Sequence, residues 1–212
     1  MHPEVRYAQC NPGDNPLKGD SCFVIACRFL LLVSQSLLRL DLDPEVDNGM
    51  HAWLEDHVRW FEVSEQGAEA RGRGNNITVW YHAVLESHRY YLDPSQGSLN
   101  ALRFFKDRFQ THPEPPAFLH NELRRAQPRH YVLFTLEPTF VLAGLTGNPP
   151  PPEVLGYLDR LVGFAQTVQP GPIEVERDND ERYFAKLRSF EQTLALWKEV
   201  GGKEGDDGSA NT

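Results

Sequence analysis

The sequence predicts an all-α fold, on three observations. Apolar residues recur at three- and four-residue steps over most of the 212 residues, which is the spacing of a helix face. Runs that alternate apolar and polar residues, as strands do, are scarce. The periodic segments are separated by Pro-, Gly- and Asp-rich breakers of uneven length, without a heptad run or a short repeat. That pattern suits antiparallel helical hairpins stacked on one another rather than a coiled coil.

The elements follow in chain order. Residues 1–20 are rich in Pro, Gly, Asn and Asp and read as an extended loop. A helix is expected from Ser21 to Leu40, with Phe23, Cys27, Leu30, Leu31, Ser34, Leu37 and Leu38 on one face. Asp41 to Asp47 reads as a turn. The next helix carries the clearest apolar stripe, Met50, Trp53, Leu54, His57, Val58 and Phe61. Gly67, Gly72 and Gly74 mark Gln66–Gly74 as a polar loop, after which Asn75 is placed to cap a helix from Asn76 to Leu92. Asp93-Pro94 stops that helix, because the residue before a proline is pushed out of the helical region.

Leu99–Phe109 is expected as a short helix, and Pro113, Pro115 and Pro116 as a loop. Arg129–Leu145 reads as a long apolar helix with Pro138 as a kink point. Four prolines, Pro149 to Pro152, form a breaker before amphipathic helices at Glu153–Val168 and Glu181–Val200. The domain is expected over residues 1–200. Residues 201–212 form a Gly/Asp/Ser tail whose composition predicts disorder.

Composition excludes several classes. The formal net charge of −9 argues against nonspecific binding to nucleic acid or to an anionic membrane, since both need a basic surface. An acidic ligand would need a local basic patch on this acidic body. Cys10, Cys22 and Cys27 are odd in number and irregular in spacing, so free thiols are expected rather than a disulfide framework or a metal site. The most apolar stretch, Phe23 to Leu40, is interrupted by Arg28, Ser34, Gln35, Ser36 and Arg39, so it reads as a buried helix and not a membrane span. No signal peptide is seen after Met1, and His51 and His57, six apart, do not make the i, i+4 metal pair.

Several short pieces, in order, resemble the alginate lyase domain family of polysaccharide lyases. Pro3, Tyr7, Ala8 and Gln9 resemble its Asn-Pro-x-x-x-Tyr-Ala-Gln stretch. Gly49-Met50-His51-Ala52-Trp53-Leu54, Trp60-Phe61 and Ser64-Glu65-Gln66-Gly67 are similar to its amphipathic helix and Ser-x-x-Gly stretch. Asn75-Asn76-Ile77-Thr78-Val79-Trp80-Tyr81 resembles an Asn-Asn-His motif followed by an aromatic pair. Glu122-Leu123-Arg124-Arg125 and His130-Tyr131 are similar to the family's Glu-Leu-x-Arg and His-Tyr elements. The resemblance covers roughly residues 1 to 145. It implies an incomplete α/α toroid, of which this chain would supply the C-terminal part, the N-terminal helices preceding Met1. It also implies an acidic polysaccharide as partner and, for family members, a periplasmic or secreted location.

Uronate lyases work by β-elimination. A base removes the proton beside the sugar carboxylate, an acid protonates the leaving glycosidic oxygen, and donors neutralise the carboxylate. The resemblance implies Asn76, with Asn75, as carboxylate donors, Arg125 as a fixed charge and bidentate fork, and Tyr131 as the proton donor. Tyr7, Gln9, Trp80, Tyr81 and His130 would complete the substrate-binding set. No redox cofactor is needed for this chemistry, and none is expected. Ile77 departs from the family's histidine and cannot transfer a proton, so either Tyr131 would serve as both base and acid, which restricts the reaction to syn-elimination, or another histidine, His82 or His130, would have to move in. His82, five residues on, lies well round the helix and is a poor substitute.

Each of these residues also has a plain structural reading. Asn75 suits a helix cap, Trp80 and Tyr81 suit a core, and Arg124 and Arg125 suit a solvated helix end. Tyr131 suits a packed ring with a wet hydroxyl. The rival to an enzyme is accordingly a catalytically impaired or truncated carbohydrate-binding remnant of the same fold.

Overall fold

The computed structural model describes residues 19–109, 117–173 and 180–204. Among them are ten helices and no strand, only a single bridge residue at Asp20. The expected all-α class is therefore the observed one. The chain divides into two compact units, Met1–Ala101 and Leu102–Thr212.

In the first unit, α1 (Phe23–Cys27), α2 (Leu30–Leu37), α3 (Pro44–Val63) and α4 (Glu65–Gly72) all pack against α5 (Asn76–Leu92). The central helix is buried on nearly every side, including Ile77, Val79, Trp80, Tyr81, Ala83, Val84 and Leu85. Such a helix needs apolar residues all round, and α5 has them. Phe23 joins it to α3 through edge-on contacts with Trp60 (4.7 Å) and Phe61 (5.0 Å), while Phe61 stacks on Tyr81 at 5.4 Å. On the opposite side α2 and its flanks expose Phe29, Leu32, Val33, Leu38 and Leu40.

Three boundaries here differ from the sequence expectation. The helix expected over Ser21–Leu40 is two helices, α1 and α2. Arg28 and Phe29 keep helical angles, but the hydrogen bond tightens to Leu32 N–H on Phe29 O (3.1 Å). The turn expected to Asp47 ends at Asp43, whose carboxylate caps α3 by accepting from Glu45 N–H (2.9 Å) with Pro44 at the first helical position. The polar loop expected over Gln66–Gly74 is mostly α4. Ser64 Oγ caps it at Gly67 N–H (3.0 Å), and Gly67 lies so near the end of α3 that a Cβ there would stand 1.9 Å from Phe61 O. That glycine is needed for helix–helix approach, not for a turn.

Helix α6 (Pro94–Phe109) crosses the boundary between the units. It starts five residues before the expected Leu99, because Asp93 accepts from Ser95 and Gln96 N–H and restarts the helix that its proline had stopped.

The second unit holds α7 (Ala117–Leu123), α8 (Pro128–Leu145), α9 (Pro152–Thr167) and α10 (Asp180–Glu204). Helix α8 contacts the other three, and α9 packs on α10. Pro138 lies inside α8 and cannot donate to Phe134 O. Thr135 and Thr139 bond back to Tyr131 O and Thr135 O, each at 2.8 Å, so their buried hydroxyls are satisfied within the helix. Phe140 stacks between α8 and α10 on Phe190 (4.6 Å) and Trp197 (5.7 Å). Helix α7 was not expected from the sequence. Helix α10 runs past Val200 to Glu204, so the start of the expected tail is helical, and residues 205–212 lie outside the described residues.

Candidate functional site

The start of α5 is built by three small residues. Gly74 takes φ +62°, where a side chain would be strained, and its N–H donates to Thr78 Oγ1 (2.8 Å). Thr78 Oγ1 donates in turn to Ala70 O (3.0 Å), tying the last turns of α4 to the first turn of α5. Asn75 Oδ1 accepts from Ile77 N–H at 3.0 Å. Asn75 thus has the capping role that its position suggested. Asn76 and Ile77 follow it into the helix at 2% and 6% exposure.

Trp80 and Tyr81, expected as substrate contacts, are core rings in this unit, 2% and 1% exposed. The Tyr81 hydroxyl donates to Phe61 O (3.1 Å), so both its face and its polar tip are occupied. Packing of α3 on α5 places them there, and the role of open sugar platforms is withdrawn for both. Tyr7 and Gln9 lie outside the described residues.

The second group sits around the start of α8. Arg125 turns back over the chain, and its guanidinium carbon lies 4.2 Å from the Tyr131 ring centroid. Its Nε is 3.8 Å from the carboxylate of Glu122, which is buried. The His130 ring meets the Tyr131 ring edge-on at 5.1 Å and stacks with Phe134 at 5.9 Å. Tyr131 is half-buried, while Arg125 and His130 are exposed. Arg125, His130 and Tyr131 are therefore brought together within the second unit. Asn75, Asn76 and Ile77 belong to the first.

One buried polar chain was not anticipated from sequence. Ser34 Oγ on α2 is 2.6 Å from His88 Nδ1 on α5, and His88 Nε2 is 3.1 Å from His57 Nδ1 on α3. All three side chains are at 0% exposure. Ser34 Oγ also donates to Leu30 O (3.3 Å), and the tautomers of the two rings set the direction of the two histidine contacts. Burial holds His57 down to about 4, against a smaller opposite pull from Asp56. Burial, with the neighbouring His57 second, holds His88 down to about 3. Both rings are thus neutral near pH 7, and the chain ties three helices together. The histidine on the α3 stripe was visible in the sequence, but nothing local pointed to a partner 31 residues away.

Among the described residues, no group of three or more His, Cys, Asp or Glu is placed to hold a metal ion, and no helix is long and apolar enough to cross a membrane. Cys22 and Cys27 are free thiols.

The family model described as alginate lyase matches residues 1–148 of this chain. Among solved structures, the chain is similar to the crystal structure of an alginate lyase from Bacteroides ovatus, with a TM-score of 0.67 and 19% sequence identity. That match covers 96% of this chain and 59% of the other, so this chain spans about three fifths of that protein's length. At this identity the likeness is one of fold. No curated protein matches the chain.

Proposed function

The chain belongs to the alginate lyase family, and from that premise we propose that it is a polysaccharide lyase homologue acting on alginate or a related polyuronate by β-elimination. The observation that carries the proposal is Arg125 stacked on Tyr131 at 4.2 Å. A tyrosine that takes a proton from carbon needs a cation beside it, and Arg125 supplies one that never loses its charge.

In the proposed reaction, the Tyr131 Oη takes the proton from the carbon beside the sugar carboxylate. The electron pair left behind forms the carbon–carbon double bond, and the glycosidic carbon–oxygen bond breaks. Tyr131 then delivers the same proton to the leaving oxygen and returns to its starting form. Base and acid act from one face, which makes the elimination syn. The resemblance assigns Asn76, with Asn75, to the substrate carboxylate, and that role rests on the family motif alone, since Asn76 is 2% exposed. His130 is assigned to the sugar next to the reacting one.

Position 77 favours a second reading, in which the chain binds polyuronate and turns it over slowly. Ile77 offers no proton acceptor, and both it and Asn76 are nearly buried. Losing one positioned acid–base group costs typically about 10²–10⁴-fold, so turnover is expected to be low but not zero. The test is ultraviolet absorbance of unsaturated uronate products, using mannuronate-rich, guluronate-rich and glucuronate polymers. Tyr131→Phe is expected to remove the turnover present. Robust turnover that survives Tyr131→Phe would sink the assigned role. A gain in Ile77→His would show that the chemistry lacked mainly its second base.

A further inference from the structure

The second unit contains a cavity of about 250 Å³ between the first turn of α8 and the first two turns of α10. Its walls carry Arg129 and His130 from α8, and Asp180, Arg182 and Lys186 from α10. Neither Arg125 nor Tyr131 lines it, so it is a separate place from the stacked pair.

The charges there are unusual for a chain of net charge −9. Arg182 and Lys186 stand four residues apart on one face of α10, an arrangement of like charges that weakens a helix. Arg129 is the fixed part of the wall. Its Nε donates to Val168 O (2.8 Å), it pairs with Asp180, and its guanidinium carbon lies 5.1 Å from both the Tyr183 and Phe184 ring centroids. Asp180, the carboxylate in the wall, is thereby neutralised by Arg129. Lys186 reaches Glu137 at 2.6 Å through an exposed pair, which an incoming anion can replace at little loss. The positive end of the α8 dipole opens on the same space.

We propose that this cavity is an anion subsite that takes the carboxylate of one sugar of the polymer, beside the sugar handled at Tyr131. The proposal rests on the polyuronate reading above. Its volume lies below the roughly 300–1,000 Å³ of pockets for drug-sized ligands, so it fits a single sugar and not an oligomer. Its place along the chain fits as well: His130 is on the cavity wall, and its ring touches that of Tyr131.

The experiment uses the full chain and the double variant Arg182→Gln/Lys186→Gln. Binding of a mannuronate trisaccharide, a neutral glucose trisaccharide and inorganic sulfate is followed by calorimetry and by the amide NMR signals of Arg129 and His130. The double variant is expected to bind the acidic trisaccharide about 10-fold more weakly, as for loss of hydrogen bonds to a charged group. It should also show a shallower salt dependence, and a raised KM with kcat kept where turnover is measurable. Unchanged affinity in the double variant overturns the subsite. So does failure of both acidic trisaccharide and sulfate to move the two amide signals. If sulfate moves them and the trisaccharide does not, an anion site stands and the polyuronate reading fails.

Discussion

The buried chain Ser34–His88–His57 makes the stability of the first unit depend on pH in a calculable way. In the unfolded chain each histidine takes up a proton near 6.5. In the native unit burial holds His57 to about 4 and His88 to about 3. Below pH 6.5 the unfolded state therefore binds more protons than the native one. The stabilisation is fully present above 6.5 and is lost as pH falls toward 4. One pK unit corresponds to about 1.4 kcal/mol, so between pH 7 and pH 5 the two histidines together should remove roughly 3–4 kcal/mol, an order-of-magnitude figure.

The perturbation is Ser34→Ala/His57→Phe/His88→Leu, which replaces the whole chain by apolar groups and leaves no polar atom stranded. Three of the four tryptophans, Trp53, Trp60 and Trp80, lie in the first unit, and Trp53 stacks on His57 at 5.2 Å. In a Trp197→Phe background, fluorescence-monitored urea unfolding thus reports that unit alone. The parent should lose several kcal/mol between pH 7 and pH 5, and the triple variant much less. Groups outside the buried chain are the same in both proteins and cancel in the comparison. An equal loss in parent and variant would refute the buried-pair argument.

Two further outcomes concern packing within the first unit. Gly67→Ala places a Cβ 1.9 Å from Phe61 O and forces α4 away from α3, so urea unfolding should show a loss of about 2–3 kcal/mol with no new contact to offset it. Asn75→Ala removes the acceptor for Ile77 N–H and should cost about 1 kcal/mol, while Asn75→Ser or Asn75→Asp should restore most of it.

Much of the helical framework was legible because long helices with one buried stripe write their period into the sequence. Helices α3, α5, α8, α9 and α10 were all expected near their observed places. Helix α4 was hidden because its glycines, which normally signal a loop, serve close packing at Gly67. Helix α7 is too short, at seven residues, for its period to stand out from the proline run before it. The site was legible only through resemblance. Arg125 and Tyr131 are six residues apart, and no helical periodicity predicts a guanidinium folding back over a ring from a residue outside the helix. The histidine pair and the α8–α10 cavity join residues 31 and about 50 positions apart, a separation across which periodicity carries no information.

The two halves of the motif differ in what their surroundings demand. At the start of α5, Gly74, Asn75 and Thr78 all serve hydrogen bonds that close the turn from α4, and Asn76 and Ile77 continue straight into the core. A histidine at position 77 would sit in that nearly buried place, where its charged form is penalised by desolvation. Isoleucine is the choice that stability of the first unit favours. At the start of α8 the balance is reversed. Arg125 and His130 are exposed although each is aligned against an aromatic ring, and the neighbouring cavity keeps like charges close together. Those arrangements do little for the stability of the second unit, and they are the ones an acidic saccharide would reward. The α5 end is thus given over to closing the turn and filling the core, while the start of α8 keeps its charged and aromatic side chains at the surface.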